Sequence, residues 1–370
     1  MTQEQEEPVA LRHVAMIGPD LDAKGGIATV ARAWLASPSM DGVQVDYVGT
    51  MRDGPTVPKL ARMAVRQGRF VARLARGWRP QLFHVHLSYF TSFYRKLAYV
   101  QEARTTGAPV VLHVHAPDLG AFHSAARIHA AAMRALFQQA DRVIALSRAM
   151  SAEIHELCGD EVRVDVLYNP VELEQFSAPP RPDTDRPTVL FMGELGERKG
   201  TWDLVSVIPE VLAAVPGARF RFGGNGDVER LQREVADRGI GEAVEVLGWI
   251  AGDDKLRAFA EADLYCLPSY QEGLPMSILE AMGSALPVVS TPIAGIPEAV
   301  QDHQTGRLVT PGDRPALAAA LIELLQDGGL RRRLGHAGRR LAEERFDVDH
   351  VVGELRGIWT DVLARHGRGS

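Results

Sequence analysis

Cysteine is nearly missing from this chain: Cys158 and Cys266 are the only two in 370 residues, far apart and outside any CxxC pattern. That scarcity argues against a disulfide framework and a cysteine zinc cluster, and it suits a reducing cytoplasm. Long apolar runs are missing too. No stretch reaches eighteen residues, so no segment is expected to span a membrane. The start, Met1–Pro8, is acidic and polar and lacks the basic and apolar regions of a secretion signal, so a solvated tail is expected there. Strong charge of one sign is also absent. A net charge of -6 gives no reason to expect nucleic acid as a partner. The GxGxxG fingerprint does not occur after the first strand, which removes the main support for a nicotinamide cofactor. No internal repeat or low-complexity segment is visible.

The length suits two domains, and 46% apolar with 24% charged residues is an ordinary globular composition. Short apolar runs alternate with helical patterns. Strands are expected at His13–Gly18, Val43–Val48, Leu82–His86, Val110–His115, Arg142–Leu146 and Arg163–Leu167, with helices such as Ile27–Leu35 and Ser124–Gln139 between them. The stretch Ser177–Pro187 carries four prolines among small and charged residues and reads as a linker. The alternation then restarts. Strands are expected at Thr188–Met192, Arg219–Phe222, Val244–Leu247, Leu264–Leu267 and Pro287–Ser290. Helices are expected at Thr201–Ala214, Val228–Arg238, Lys255–Ala262 and Met276–Ser284. This pattern predicts an α/β fold of two Rossmann-like, doubly wound domains, residues 1–180 and 188–345, with an interdomain cleft. A last helix within 346–370 is expected to cross back to the first domain.

Four motifs could carry chemistry. The densest runs from Glu272 to Glu280, after the strand Leu264–Leu267. Pro275 suits the first position of a helix, and the amides around Gly273–Met276 would form a positive helix start. Two carboxylates there suit hydrogen bonds from sugar or ribose hydroxyls; an acidic cap on a surface helix is the plainer alternative. The second motif is Gly193-Glu194-Leu195-Gly196-Glu197-Arg198-Lys199-Gly200, after the strand Thr188–Met192. Adjacent cations can neutralise a departing phosphate without metal, although an Arg-Lys pair can also be a solvated loop. Third, Gly25-Gly26-Ile27 opens a helix after the first strand, where paired glycines permit close approach of phosphate. Fourth, His84-Val85-His86 and His113-Val114-His115 place both members of each pair on one strand face, as metal ligands or as polar residues at a site floor.

One further pattern concerns surfaces. Lys59, Arg62, Arg66, Arg69, Arg73 and Arg76 recur every three or four residues, with no acid between Val57 and Gln81 and apolar residues interleaved. Gly68 interrupts this helix. It reads equally as a membrane-surface helix and as the solvated face of a domain helix.

The spacing Glu-x7-Glu with an internal Gly-Leu-Pro resembles the signature of the family-4 (group 1) glycosyltransferases of the GT-B fold. The segments Ala281–Val289, Gly295-Ile296-Pro297-Glu298 and Gly306 before Leu308-Val309 resemble it as well. The likeness covers nearly the whole chain and is most specific between Phe191 and Gly312. It implies a retaining transfer of a sugar from a nucleotide-sugar donor, held by the second domain, to a hydroxyl acceptor held by the first. Glu272 would lie by the donor sugar and Glu280 would hold the ribose. The backbone of Gly273, Leu274, Pro275 and Met276 would contact sugar or diphosphate. Lys199 would meet the diphosphate. The family often has Arg after the first glycine where this chain has Glu194, and Arg198 is the substitute cation. Gly25 and Gly26 would contact the donor phosphate or the acceptor. His115 aligns with an active-site histidine, with His113 in reserve. Gly224, Asn225 and Gly248 would border the nucleotide. Retention in the family is attributed to front-side attack, which needs no protein nucleophile, cofactor or metal. The resemblance further suggests surface-polysaccharide assembly and a lipid-linked acceptor whose phosphate could meet Arg95 and Lys96. On that reading Arg66 and Arg69 face an anionic membrane, and the protein is cytoplasmic and peripheral on the inner face of the plasma membrane. A nucleotide-sugar epimerase and a catalytically silent donor-binding protein are the alternatives.

Overall fold

The computed structural model describes residues 10–51, 56–88, 90–116, 118–176 and 185–367. The N-terminal tail and residues 177–184 of the proline-rich segment lie outside them, as does the Lys59 side chain. The chain divides into two compact units: 1–168 with 348–370, and 169–347.

The first unit holds one parallel sheet. Its strands are β1 (His13–Gly18), β2 (Gln44–Gly49), β3 (Leu82–Leu87), β4 (Val110–Val114), β5 (Arg142–Ala145) and β6 (Val164–Val166), in the order β2-β1-β3-β4-β5-β6. Every residue of β3, β4 and β5 is buried, as expected for a parallel sheet covered on both faces. The intervening helices are α1 (Gly26–Ala36), α2 (Thr56–Ala75), α3 (Thr91–Arg104), α4 (Leu119–Ala125), α5 (Arg127–Gln138) and α6 (Arg148–Cys158). The single helix expected over Ser124–Gln139 is two. Asp118 caps α4 by accepting from the Ala121 amide at 2.7 Å, and Ala126 is extended between α4 and α5.

The second unit repeats the plan with β7 (Thr188–Met192), β8 (Arg219–Gly223), β9 (Val244–Gly248), β10 (Leu264–Leu267), β11 (Val288–Ser290) and β12 (Gly306–Leu308), ordered β12-β11-β10-β7-β8-β9. Its helices are α7 (Thr201–Ala214), α8 (Val228–Asp237), α9 (Gly252–Ala260), α10 (Met276–Gly283), α11 (Ile296–Ala299), α12 (Arg314–Gln326) and α13 (Gly328–Arg345). Strand β12 was not expected. Only three residues long, it pairs closely at Gly306, where a Cβ would stand 2.1 Å from the Val288 carbonyl oxygen.

The division falls at Tyr168/Asn169, ahead of the proline-rich segment where the linker was expected. Hydrogen bonds fix residues 169–176 to the second unit. The Asn169 side chain donates to the Leu274 carbonyl at 2.7 Å, and the Val171 amide donates to the Phe346 carbonyl at 2.7 Å. The last helix, α14 (Val348–Gly367), packs in the first unit. Trp359 is fully buried there, Ser37 bonds Asp349, and Arg142 pairs with Asp361.

Candidate active site

A doubly wound sheet binds ligands beyond the carboxyl ends of the two strands where the chain changes direction. In the second unit those strands are β7 and β10, paired in parallel through Leu264 with Val189 and Tyr265 with Leu190. Lys199 follows β7 and Glu272 follows β10. Their side chains meet at 2.5 Å, both largely buried, and the Ser269 hydroxyl donates to the same carboxylate oxygen at 2.7 Å.

The loops that carry this pair are packed backbone to backbone. Gly200 adopts φ 68, and a Cβ there would stand 1.9 Å from the Pro268 carbonyl oxygen. The Tyr270 amide donates to the Arg198 carbonyl at 2.9 Å. Asp203, buried in the first turn of α7, accepts from the Tyr270 hydroxyl at 2.7 Å and from Arg314 Nε at 2.8 Å. That bond pushes the Tyr270 phenol up from its ordinary pKa. Sequence reasoning missed Ser269, Asp203, Tyr270 and Arg314.

Helix α10 begins at Met276, and Pro275 (φ -67, ψ 124) is its cap rather than its first residue, a small correction. The first amides of the helix therefore have no intrahelical acceptor and remain available to an anion. The Gly273 carbonyl accepts from the Gly295 amide at 2.9 Å, fixing the loop that leads in. Glu280, one turn along and buried, pairs with Lys255 at 2.5 Å. Lys255 was also missed; it lies in the first turn of α9, twenty-five residues away, and no local pattern marks it.

Arg198 is not a free cation. Its guanidinium donates to Glu194 at 3.0 Å and to the Gln271 carbonyl at 3.3 Å, so the acid that departs from the family pattern holds its proposed substitute. The loops of Gly224, Asn225 and Gly248, expected from the resemblance to border a nucleotide, lie against this one. The Gly224 amide donates to the Gly248 carbonyl at 2.7 Å, and Leu195 donates to the Asn225 carbonyl at 2.6 Å. Gly224 has φ 147, and a Cβ on it would lie 1.7 Å from the Gly193 carbonyl oxygen. Trp249 beside Gly248 is half exposed.

In the first unit the chain changes direction between β1 and β3. After β1, Gly25 (φ 129) precedes α1 and its unpaired first amides. The loop leading there is held by Arg66, which pairs with Asp20 and donates to the Gly49 carbonyl at 2.7 Å. Arg66 is therefore a structural clamp, which corrects its assignment to a membrane face. Arg73 is likewise engaged, with Asp46 at 2.8 Å and with its guanidinium over Trp78. Arg69 is exposed. Lys96 is 1% exposed, so it too cannot lie on a membrane-facing surface. Arg95 is half-buried.

The four histidines gather at the ends of β3 and β4. His86 Nδ1 and His115 Nε2 are 2.9 Å apart, and Trp34 stacks on His86 and His113. Burial pushes His84 and His115 each down to about 3, and carries His86 and His113 well below the ordinary range. Possible ligand atoms of His84, His86 and His113 lie within 4.8 Å of one another. A metal does not fit them as arranged. Trp359 Nε1 can only donate, and it does so to His84 Nδ1 at 3.1 Å. Neutral His84 then carries its proton on Nε2 and has no lone pair left for an ion.

Two family profiles match the chain. One, described as glycosyl transferases group 1, covers residues 186–327; the other, glycosyltransferase family 4, covers residues 12–175. Among relatives, a GDP-mannose-dependent alpha-(1-6)-phosphatidylinositol monomannoside mannosyltransferase of Mycolicibacterium smegmatis is 30% identical over 260 residues, 65% of this chain and 67% of that protein. A glycogen synthase of Mycobacterium tuberculosis is 28% identical over 287 residues, 75% of this chain and 68% of that protein. Among solved structures, Anabaena HepE in complex with UDP and glucose superposes with a TM-score of 0.76 at 18% identity, covering 94% of this chain and 99% of that one. A likeness at that identity speaks to the fold.

Proposed function

The chain belongs to the family 4, group 1 glycosyltransferases, with their two-domain GT-B fold, and we propose that it transfers sugar from a nucleotide-sugar donor with retention at the anomeric carbon. The donor is assigned to the second unit. The observation that carries this reading is the Lys199–Glu272 pair at the switch point of β7 and β10, one turn of α10 from Glu280.

Glu272 pairs with the Lys199 ammonium. An entering diphosphate offers that ammonium a stronger anion, and Glu272 is then released to accept hydrogen bonds from sugar hydroxyls. Glu280, steadied by Lys255, is suited to the paired hydroxyls of a ribose. As the bond from the anomeric carbon to the diphosphate breaks, charge grows on the leaving oxygen. Lys199, Arg198 and the first amides of α10 stabilise it without a metal. The acceptor hydroxyl attacks from the same face, and its proton passes to the departing phosphate. His115 is assigned to the sugar being transferred.

The acceptor is assigned to the first unit, as a lipid-linked or surface-polysaccharide precursor. The mannosyltransferase relative, whose name gives a phosphatidylinositol monomannoside, supports this assignment. Among the described residues no helix is long and apolar enough to cross a membrane; on the proposed reading, work on such an acceptor takes place at the inner face of the plasma membrane. A thermal-shift screen against nucleoside diphosphates and nucleotide sugars tests the donor claim, because a ligand that binds only the folded state raises its stability. No shift with any of them would sink it. Epimerised donor formed without acceptor would favour the epimerase reading instead.

A further inference from the structure

Between α2 and α3 the first unit has a groove of about 720 Å³, a volume typical of sites for small amphiphilic ligands. Its walls are mainly apolar: Met63 and Ala64 from α2, and Phe90, Tyr94 and Ala98 from α3 and its approach. Phe90 remains 52% exposed and Tyr94 37%, an unusual amount of aromatic surface left to water.

One cation stands in this wall. Arg95 meets the Ser92 hydroxyl at 3.1 Å and the Met51 sulfur at 3.7 Å, while among the described residues its Nε has no partner and no carboxylate pairs with it. The next residue, Lys96, lies on the buried side of α3 with Nζ also unpartnered. The charged groups acting on it and acted on by it are Arg95, His86 and His115, none of them an acid. A buried cation without a counter-ion is strongly disfavoured, so burial and then the neighbouring Arg95 guanidinium push the Lys96 ammonium well below its ordinary pKa, and only an arriving anion would favour its charged form. An apolar groove bordered by an uncompensated guanidinium, with a buried unpartnered amine behind it, complements a ligand with a hydrocarbon part and a compact anion.

We infer that the groove takes a lipid phosphate, its chain against Met63, Ala64, Phe90, Tyr94 and Ala98 and its phosphate on Arg95, with the buried Lys96 amine behind it. A guanidinium suits phosphate because two parallel N–H groups meet two oxygens. This names the acceptor class within the proposed function and rests on that reading for the reaction, though not for the binding.

The test is calorimetric titration of the full chain with dodecyl phosphate below its micelle concentration, beside inorganic phosphate, dodecyl maltoside and phosphatidylglycerol vesicles. Saturable one-to-one binding of dodecyl phosphate is expected, weakened about tenfold or more in Arg95→Gln and in Ala98→Phe. A retained nucleoside-diphosphate shift in both variants shows that they fold, and it separates failure here from failure of the donor reading. Absent binding, or binding unchanged in both variants, would overturn the inference. So would inorganic phosphate or dodecyl maltoside binding as tightly, or attachment to vesicles without uptake of the monomer.

Discussion

Lys199 and Glu272 neutralise each other in a place where neither charge could stand alone. Lys199→Ala removes the counter-ion and leaves Glu272, 5% exposed, with the Ser269 hydroxyl as its one remaining side-chain partner among the described residues. Stranding a buried carboxylate in this way costs about 3 kcal/mol, measurable by urea unfolding. Transfer should suffer separately, with kcat/KM down about 100-fold or more if the ammonium meets the leaving group. Unchanged kcat/KM in a folded variant would remove Lys199 from the chemistry. A neighbouring glycine makes a sharper structural test. Gly200→Ala would force a side chain to φ 68 and against the Pro268 carbonyl, at a cost of roughly 2 kcal/mol or more. Gly196→Ala meets open space and should change stability by less than about 0.5 kcal/mol, so comparing the two midpoints checks the packing of these loops. At this scale the sequence was legible where chemistry is local. Glu272, Glu280 and Lys199 sit in short motifs after strands. Their partners were hidden: Lys255 acts on Glu280 from another element, and Asp203 reaches Tyr270 across sixty-seven positions. Arg66 was visible as a cation, but Asp20, which holds it, lies forty-six positions away; the acid that holds Arg198, Glu194, lay in the same motif.

Whole elements were easier to read than their partners. Strands buried on both faces leave continuous apolar runs, which is why β1, β7 and β10 fall where those runs do. Strand β12 leaves no such trace, and the break between α4 and α5 lies at the extended backbone of Ala126, which no hydrophobic period marks. The histidines in and just after β3 and β4 show what the element context adds, since their spacing alone left metal ligands and polar residues at a site floor both open. All four titrate below their ordinary value because burial disfavours the cation. In the unfolded chain they take up protons near pH 6.5, whereas His84 and His115 in the fold wait until about pH 3. The unfolded state therefore binds more protons throughout that window, and stability falls as pH drops through 6.5 toward 3. The loss is roughly 1.4 kcal/mol per histidine one pH unit below 6.5. Urea midpoints at pH 7.5 and 5.5 should differ accordingly, and His113→Phe should reduce the difference. Equal midpoints would mean that the cluster keeps protons when folded.

On the scale of the molecule, the chain leaves its first unit after Tyr168 and returns to it at Val348. The proline-rich segment suggested a simpler break, because proline marks where regular structure stops, not which sheet the flanking residues join. Since α14 belongs to the first unit, damage to the far end of the sequence should be felt near its beginning. Trp359 is the place to apply it: fully buried, its indole in edge contact with the His84 ring and hydrogen-bonded to its Nδ1. Trp359→Ala removes a large core side chain, a change that costs about 3–5 kcal/mol, and leaves a buried imidazole nitrogen without its donor. Hydrogen exchange should then show lost protection in β3, β4 and α1. Protection in β7, β10 and α10 should persist, as should the stabilisation of those elements by a nucleoside diphosphate. If protection fell equally in both sheets, the two units would be unfolding as one, and the assignment of donor binding to the second unit alone would lose its physical basis.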